Sequence, residues 1–163
     1  MREPIHTFWV LTLTATIFAG CDLNPLSHSK QLVSHMAVTD TTGQVISEIR
    51  SGEYFDVVLT IVNKTGSDQK YHYGYPQASF QVVRADSVHI SSDYGCMYPQ
   101  PWIGRTLEEG DVLVWRWRGP MQGCTDKKVN LEPGEYQVLA RPELHFEKYG
   151  TLRPEYETIR IKP

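Results

Sequence analysis

The chain has 163 residues, with 16 lysines and arginines against 19 aspartates and glutamates, for a formal net charge of −3. That length gives one domain room for a sizeable core, and with no basic face or polybasic run there is no electrostatic footprint for nucleic acid. Nine tyrosines, five phenylalanines and four tryptophans, with 12 glycines and 10 prolines spread along the chain, favour turn-rich β-structure over a helical bundle or disorder.

The first segment reads as a leader. Arg2 precedes an apolar stretch from Phe8 to Phe18, which ends in Ala19-Gly20-Cys21. The stretch is too short to span a bilayer stably and is followed by small residues, so it predicts an export signal. Its ending, Ile17-Phe18-Ala19-Gly20-Cys21, resembles the lipobox of bacterial lipoproteins. The resemblance implies a signal peptide over 1–20, acylation of Cys21, and a membrane-anchored lipoprotein of the bacterial cell envelope on its periplasmic or extracellular face. Residues 21–30 then form a tether from the lipid bilayer, and a diacylated cysteine holds far more firmly than one chain. A plain secretory signal with a chance cysteine is the alternative.

From Leu32 to Thr39 the pattern alternates and predicts the first strand; Val45 to Ile49 forms a short edge piece. Tyr54 to Asn63 is the central strand, with Phe55, Val57, Leu59 and Ile61 on one wholly apolar face, which a second sheet must cover. Gln69 to Tyr73 follows, with Tyr71 and Tyr73 on one face, and Pro76 is expected to end it because proline cannot donate to a ladder. Ser79 to Arg84 is the next strand and Val88 to Ser91 a short one. Ser92 to Arg105 has no period and reads as a long loop, stiffened by Pro99 and Pro101. Asp111 to Arg118 turns Leu113, Trp115 and Trp117 one way and Val112, Val114 and Arg116 the other. A second loop runs from Gly119 to Lys128, a strand from Tyr136 to Arg141, a polar loop from His145 to Pro154, and a closing strand from Glu157 to Lys162. Leu131-Glu132-Pro133-Gly134-Glu135-Tyr136 looks like the tyrosine corner of immunoglobulin-type sandwiches, with the phenol of Tyr136 bonding back to the preceding backbone. Residues 31–163 therefore read as an all-β, immunoglobulin-like antiparallel β-sandwich of about seven or eight strands.

Four patches, taken together, resemble the bacterial BsuPI-type proteinase inhibitor domain: the strand ending in Asn63-Lys64-Thr65, the segment from Tyr75-Pro76 through Ser79-Phe80-Gln81-Val82-Val83, the turn Leu107-Glu108-Glu109-Gly110-Asp111 before a Trp-bearing strand, and Leu131 to Tyr136. The resemblance covers roughly Val45 to Ala140. It implies an immunoglobulin-like sandwich and, by the namesake's activity, inhibition of a subtilisin-type serine protease.

Once Cys21 is acylated, Cys96 and Cys124 are the remaining thiols, and an oxidising compartment makes a disulfide the simplest expectation. Closing that loop contributes ~3 to 4 kcal/mol on the chain-entropy model. The competing reading is a soft-metal site from Cys96, Met97, Met121 and Cys124 with His89, though their spacing matches no metal signature. Tyr94, Met97, Tyr98 and Trp102 form a candidate binding loop, since tyrosine and tryptophan are favoured interface anchors and preorganisation lowers the cost of ordering. The competing reading has Trp102 and Tyr98 covering one end of the sandwich. The six histidines are scattered, no nucleophile motif or phosphate loop occurs, and no catalytic residue, cofactor or enzyme class is expected. Arg116 and Arg118 lie beside Trp115 and Trp117 and are placed to stack on them. Asn63-Lys64-Thr65 fits an N-glycosylation pattern, which a bacterial lipoprotein does not normally use. The function expected is binding of another protein, with a subtilisin-type protease the candidate partner. The alternative is a structural or assembly module of the envelope with no inhibitory activity.

Overall fold

The computed structural model describes residues 31–84, 86, 89–92, 102–123 and 127–163. Among these there are ten strands and no helix: β1 (Leu32–Thr39), β2 (Glu48–Arg50), β3 (Phe55–Asn63), β4 (Gln69–Arg84), β5 (His89–Ser92), β6 (Ile103–Leu107), β7 (Val112–Gly119), β8 (Gly134–Phe146), β9 (Gly150–Thr151) and β10 (Glu155–Lys162). A three-stranded sheet runs β1-β3-β7, and a larger one runs β2-β10-β8-β4-β5, with β6 also on β4 and β9 on β8. Every pairing is antiparallel except β2 on β10. The fold is an all-β, immunoglobulin-like sandwich, and its extra strands beyond seven or eight are the short β2, β6 and β9.

The alternation of β3 decides the packing. Phe55, Val57, Leu59 and Ile61 have no exposed surface and point at the larger sheet. Around the first three lie Met36, Val38, Phe80, Val82, Trp117, Tyr136, Val138 and Ile159; around Ile61 lie Leu32, Tyr71, Tyr73, Leu107, Leu144 and Phe146. Trp115 packs against both groups and joins them. Trp117 stacks on Phe80 with ring centroids 5.9 Å apart and meets Phe55 edge-on at 6.4 Å, arrangements that add stabilisation beyond area burial. Gly119 is required by this cluster: a Cβ there would lie 2.6 Å from Cζ3 of Trp117.

Three sequence-based boundaries change. Pro76 does not end a strand: β4 runs through it, and Pro76 falls where the register with β8 shifts between Tyr73 and Ala78. A proline is tolerated in such an irregularity because no ladder bond is asked of it. The expected polar loop from His145 begins inside β8, whose Phe146 is fully buried against Tyr71, and it contains β9. The expected loop to Arg105 ends earlier, because Ile103 to Arg105 pair with Tyr71 to Tyr73.

One end of the sandwich is held by a buried amide. The Nδ2 of Asn63 donates to the carbonyls of Ser67 (2.9 Å), Leu107 (2.9 Å) and Glu108 (3.0 Å). Its Oδ1 accepts from the N–H (3.1 Å) and the hydroxyl (2.8 Å) of Thr65, whose hydroxyl also accepts from Gln69. Asn63 has no exposed surface, so the Asn63-Lys64-Thr65 sequence is a structural clamp in which the amide is unavailable for glycosylation. At the tyrosine corner, the Tyr136 hydroxyl donates to the carbonyl of Glu132 at 2.9 Å.

Candidate functional site

The long β4 carries two short strands on one edge. β5 pairs with its upper part, Gln81 to Val83, and β6 with its lower part, Gln69 to Tyr73. Ser92 and Trp102 thus bracket the Gly74–Ala78 interval, where β4 also changes register against β8. Here the edge presents aromatic surface: Trp102 is 70% exposed and Tyr75 is 51% exposed. The pairing of Ile103 with Tyr73 holds the backbone next to Trp102 in place. Gln77, in the same interval, accepts a hydrogen bond from Nε1 of Trp115 at 3.1 Å, which ties this stretch to the opposite sheet.

Of the residues singled out in the sequence, Trp102 lies on this edge and most of its surface meets solvent. Tyr94, Cys96, Met97, Tyr98, Cys124 and the lipid-attachment candidate Cys21 lie outside the described residues, so the Cys96–Cys124 pairing does too. Met121 packs against the core. Beside it, Met121 bridges to Lys128, and Lys128 places its ammonium 3.8 Å from the ring centre of Tyr54 while donating to the carbonyl of Gly52. Trp115 and Trp117 point inward as expected.

The arginines of β7 depart from expectation. Neighbouring residues of a strand point to opposite faces, so Arg116 and Arg118 lie across the sheet from the tryptophans. There they meet Asp56, whose side chain is 3% exposed: Arg118 Nε lies 3.0 Å and Arg116 3.9 Å from its carboxylate. The hydrogen bond to Asp56 raises the Arg118 pKa above its ordinary value. Asp56 sits between Thr39 and Arg118 in register, on the face of β3 opposite Phe55 and Val57.

The histidines are not all separate. His72 and His145 face each other across β4 and β8, a juxtaposition that only strand register reveals. Among the described residues no group of three or more His, Cys, Asp or Glu side chains is placed to hold a metal ion. The carboxyl of Asp40 is held below its ordinary value by the Thr42 hydroxyl and the Gln44 N–H, and that of Glu48 by Lys162.

The fold and this edge define the class: an immunoglobulin-like sandwich with an aromatic strand edge. No family model matches the chain, and no curated protein matches it. Similar solved structures include the C-terminal domain of Wzt, at 11% identity over 82% of this chain and 76% of that one, with TM-score 0.49. The alkylpurine DNA glycosylase AlkC from Pseudomonas fluorescens is similar at 14% identity over 81% of this chain and 30% of that one, with TM-score 0.40. The sporulation control protein Spo0M from Bacillus subtilis is similar at 12% identity over 80% of this chain and 49% of that one, with TM-score 0.41. This chain spans less than a third of the AlkC chain and about half of Spo0M, and no activity is transferred from any of them.

Proposed function

We propose that the chain is an exported lipoprotein, anchored through acylated Cys21, whose sandwich binds another protein through the β4–β6 edge. The observation that carries this reading is the 70% exposure of Trp102 beside a fixed strand, with Tyr75 51% exposed at the same point. A large aromatic side chain supplies contact area at low entropic cost when its backbone is already ordered. The resemblance of the sequence to BsuPI-type inhibitors supports a subtilisin-type serine protease as the partner, with residues 92–102 as the contacting segment and a Cys96–Cys124 disulfide framing it.

The test is titration of the purified protein into a panel of subtilisin-type and trypsin-type proteases. Stoichiometric inhibition that is lost on reduction and weakens at least tenfold in Trp102→Ala, a change of about 1.4 kcal/mol or more, supports the reading. Absence of inhibition across the panel, with the protein left uncleaved, overturns the inhibitor and favours a scaffold of the cell envelope.

A further inference from the structure

Among the described residues, the smaller sheet leaves one long edge open. On its other side, β1 is partly occupied: the Ile46 N–H donates to the Val38 carbonyl at 2.9 Å, and Thr39 bridges to Val45. β7 pairs with β3 alone among the described residues. The phase of that pairing follows from the Asn63 N–H, which donates to the Asp111 carbonyl at 3.0 Å. In an antiparallel ladder bonded and non-bonded pairs alternate, so Leu113, Trp115 and Trp117 bond to β3. The N–H and C=O groups of Val112, Val114, Arg116 and Arg118 consequently aim away from it.

The side chains of those same four residues share the outer face of the sheet. Val112 is 50% and Val114 58% exposed; the guanidinium side chains of Arg116 and Arg118 are 63% and 53% exposed. Two guanidiniums share the single carboxylate of Asp56, and Arg116 only at 3.9 Å, so positive charge and unused donors remain on one half of the strand. The other half is apolar. Edge strands with free backbone groups are templates for an added strand.

We propose that the β7 edge accepts an extended acidic and apolar segment of a partner protein as an additional strand. Carboxylates of the segment meet Arg116 and Arg118, its aliphatic side chains meet Val112 and Val114, and its backbone bonds the four outward residues. A second copy of this chain is the poorer occupant, because antiparallel self-pairing over the full strand sets Arg116 and Arg118 opposite Val114 and Val112 and brings no carboxylate to either guanidinium. The inference rests on the reading that the sandwich binds protein, but it uses a surface separate from Trp102.

The probe is a fluorescein-labelled ten-residue peptide with glutamate at two successive alternate positions, valine at the next two and threonine between. It is titrated with the full-length protein in detergent micelles and followed by anisotropy. The expected result is saturable binding that weakens with salt and falls roughly tenfold or more when lysine replaces glutamate, as charge complementarity requires. Binding is lost when alternate amides of the peptide are N-methylated, a control that leaves the protein unchanged. Val114→Pro removes only an outward N–H, so it spares the β3 ladder and is expected to abolish binding while the far-ultraviolet dichroism is kept. Trp102→Ala leaves the peptide affinity unchanged. Equal affinity for the glutamate and lysine peptides, indifference to N-methylation, or loss of binding in Trp102→Ala overturns the inference. Absence of peptide binding while protease inhibition persists overturns the β7 edge alone and leaves the β4–β6 reading standing.

Discussion

Replacing Asn63 with alanine tests the physical account of the fold most severely, because one side chain closes one end of the sandwich. The amide has no exposed surface and spans three segments: it donates to Leu107 and Glu108 ahead of β7 and to Ser67 ahead of β4, and accepts from Thr65. Truncation leaves the Thr65 N–H and the Leu107 carbonyl without that partner, in a site where both bonds are buried. Each orphaned buried group costs ~1 to 3 kcal/mol, and a small cavity adds to this, so the expected loss is about 3 to 4 kcal/mol. At ~3 to 5 °C per kcal/mol for a domain of this size, the melting temperature falls by roughly 10 to 15 °C. The assay is urea and thermal unfolding followed by circular dichroism, with Thr65→Val and the double variant completing a cycle. Thr65 shares the network, so the two losses should be less than additive. A loss below ~0.5 kcal/mol, as for an ordinary surface change, refutes the reasoning.

Three further outcomes are expected. Gly119→Ala drives a Cβ into the Trp117 indole and should destabilise by ~1 to 3 kcal/mol through overpacking, with a change in tryptophan emission; unchanged urea midpoints count against the packing described. The depressed carboxyls of Asp40 and Glu48 contribute stability that is present above their ordinary values, 3.8 and 4.5, and is lost as pH falls through their lower folded values. The urea midpoint should therefore drop between pH 5 and pH 3, less steeply in Asp40→Asn, and an identical pH profile for that variant contradicts the assignment. Cys21→Ser should abolish incorporation of labelled palmitate and release the protein from membranes, and retention of label identifies another attachment site.

Much of the architecture was legible because burial imposes period two. β3 and β7 were readable residue by residue, since one face of each meets core and the other does not. Pro76 misled because it was read as a donor lost from a ladder, while β4 places it in a register shift that needs no donor. Phe146 was assigned to a loop because its neighbours His145, Glu147 and Lys148 are polar; opposite Tyr71 in register, it completes the lower core. The Asn63 clamp, the Asp56 pairing with two arginines and the His72–His145 juxtaposition depend on which strands are neighbours, and local periodicity carries no such information. Trp102 was recognisable as a candidate from its loop-like surroundings, but its place beside β4 follows only from the pairing of β6.

As proposed above, the Trp102 edge touches another protein in the cell envelope. The direct measurement is site-specific photocrosslinking in the cells that make the protein, with benzoylphenylalanine at position 102 and, as control, at Glu157, which is exposed on β10. A discrete protein adduct from position 102 and none from position 157 is the predicted result. No adduct at 102, or the same adducts from both positions, contradicts it.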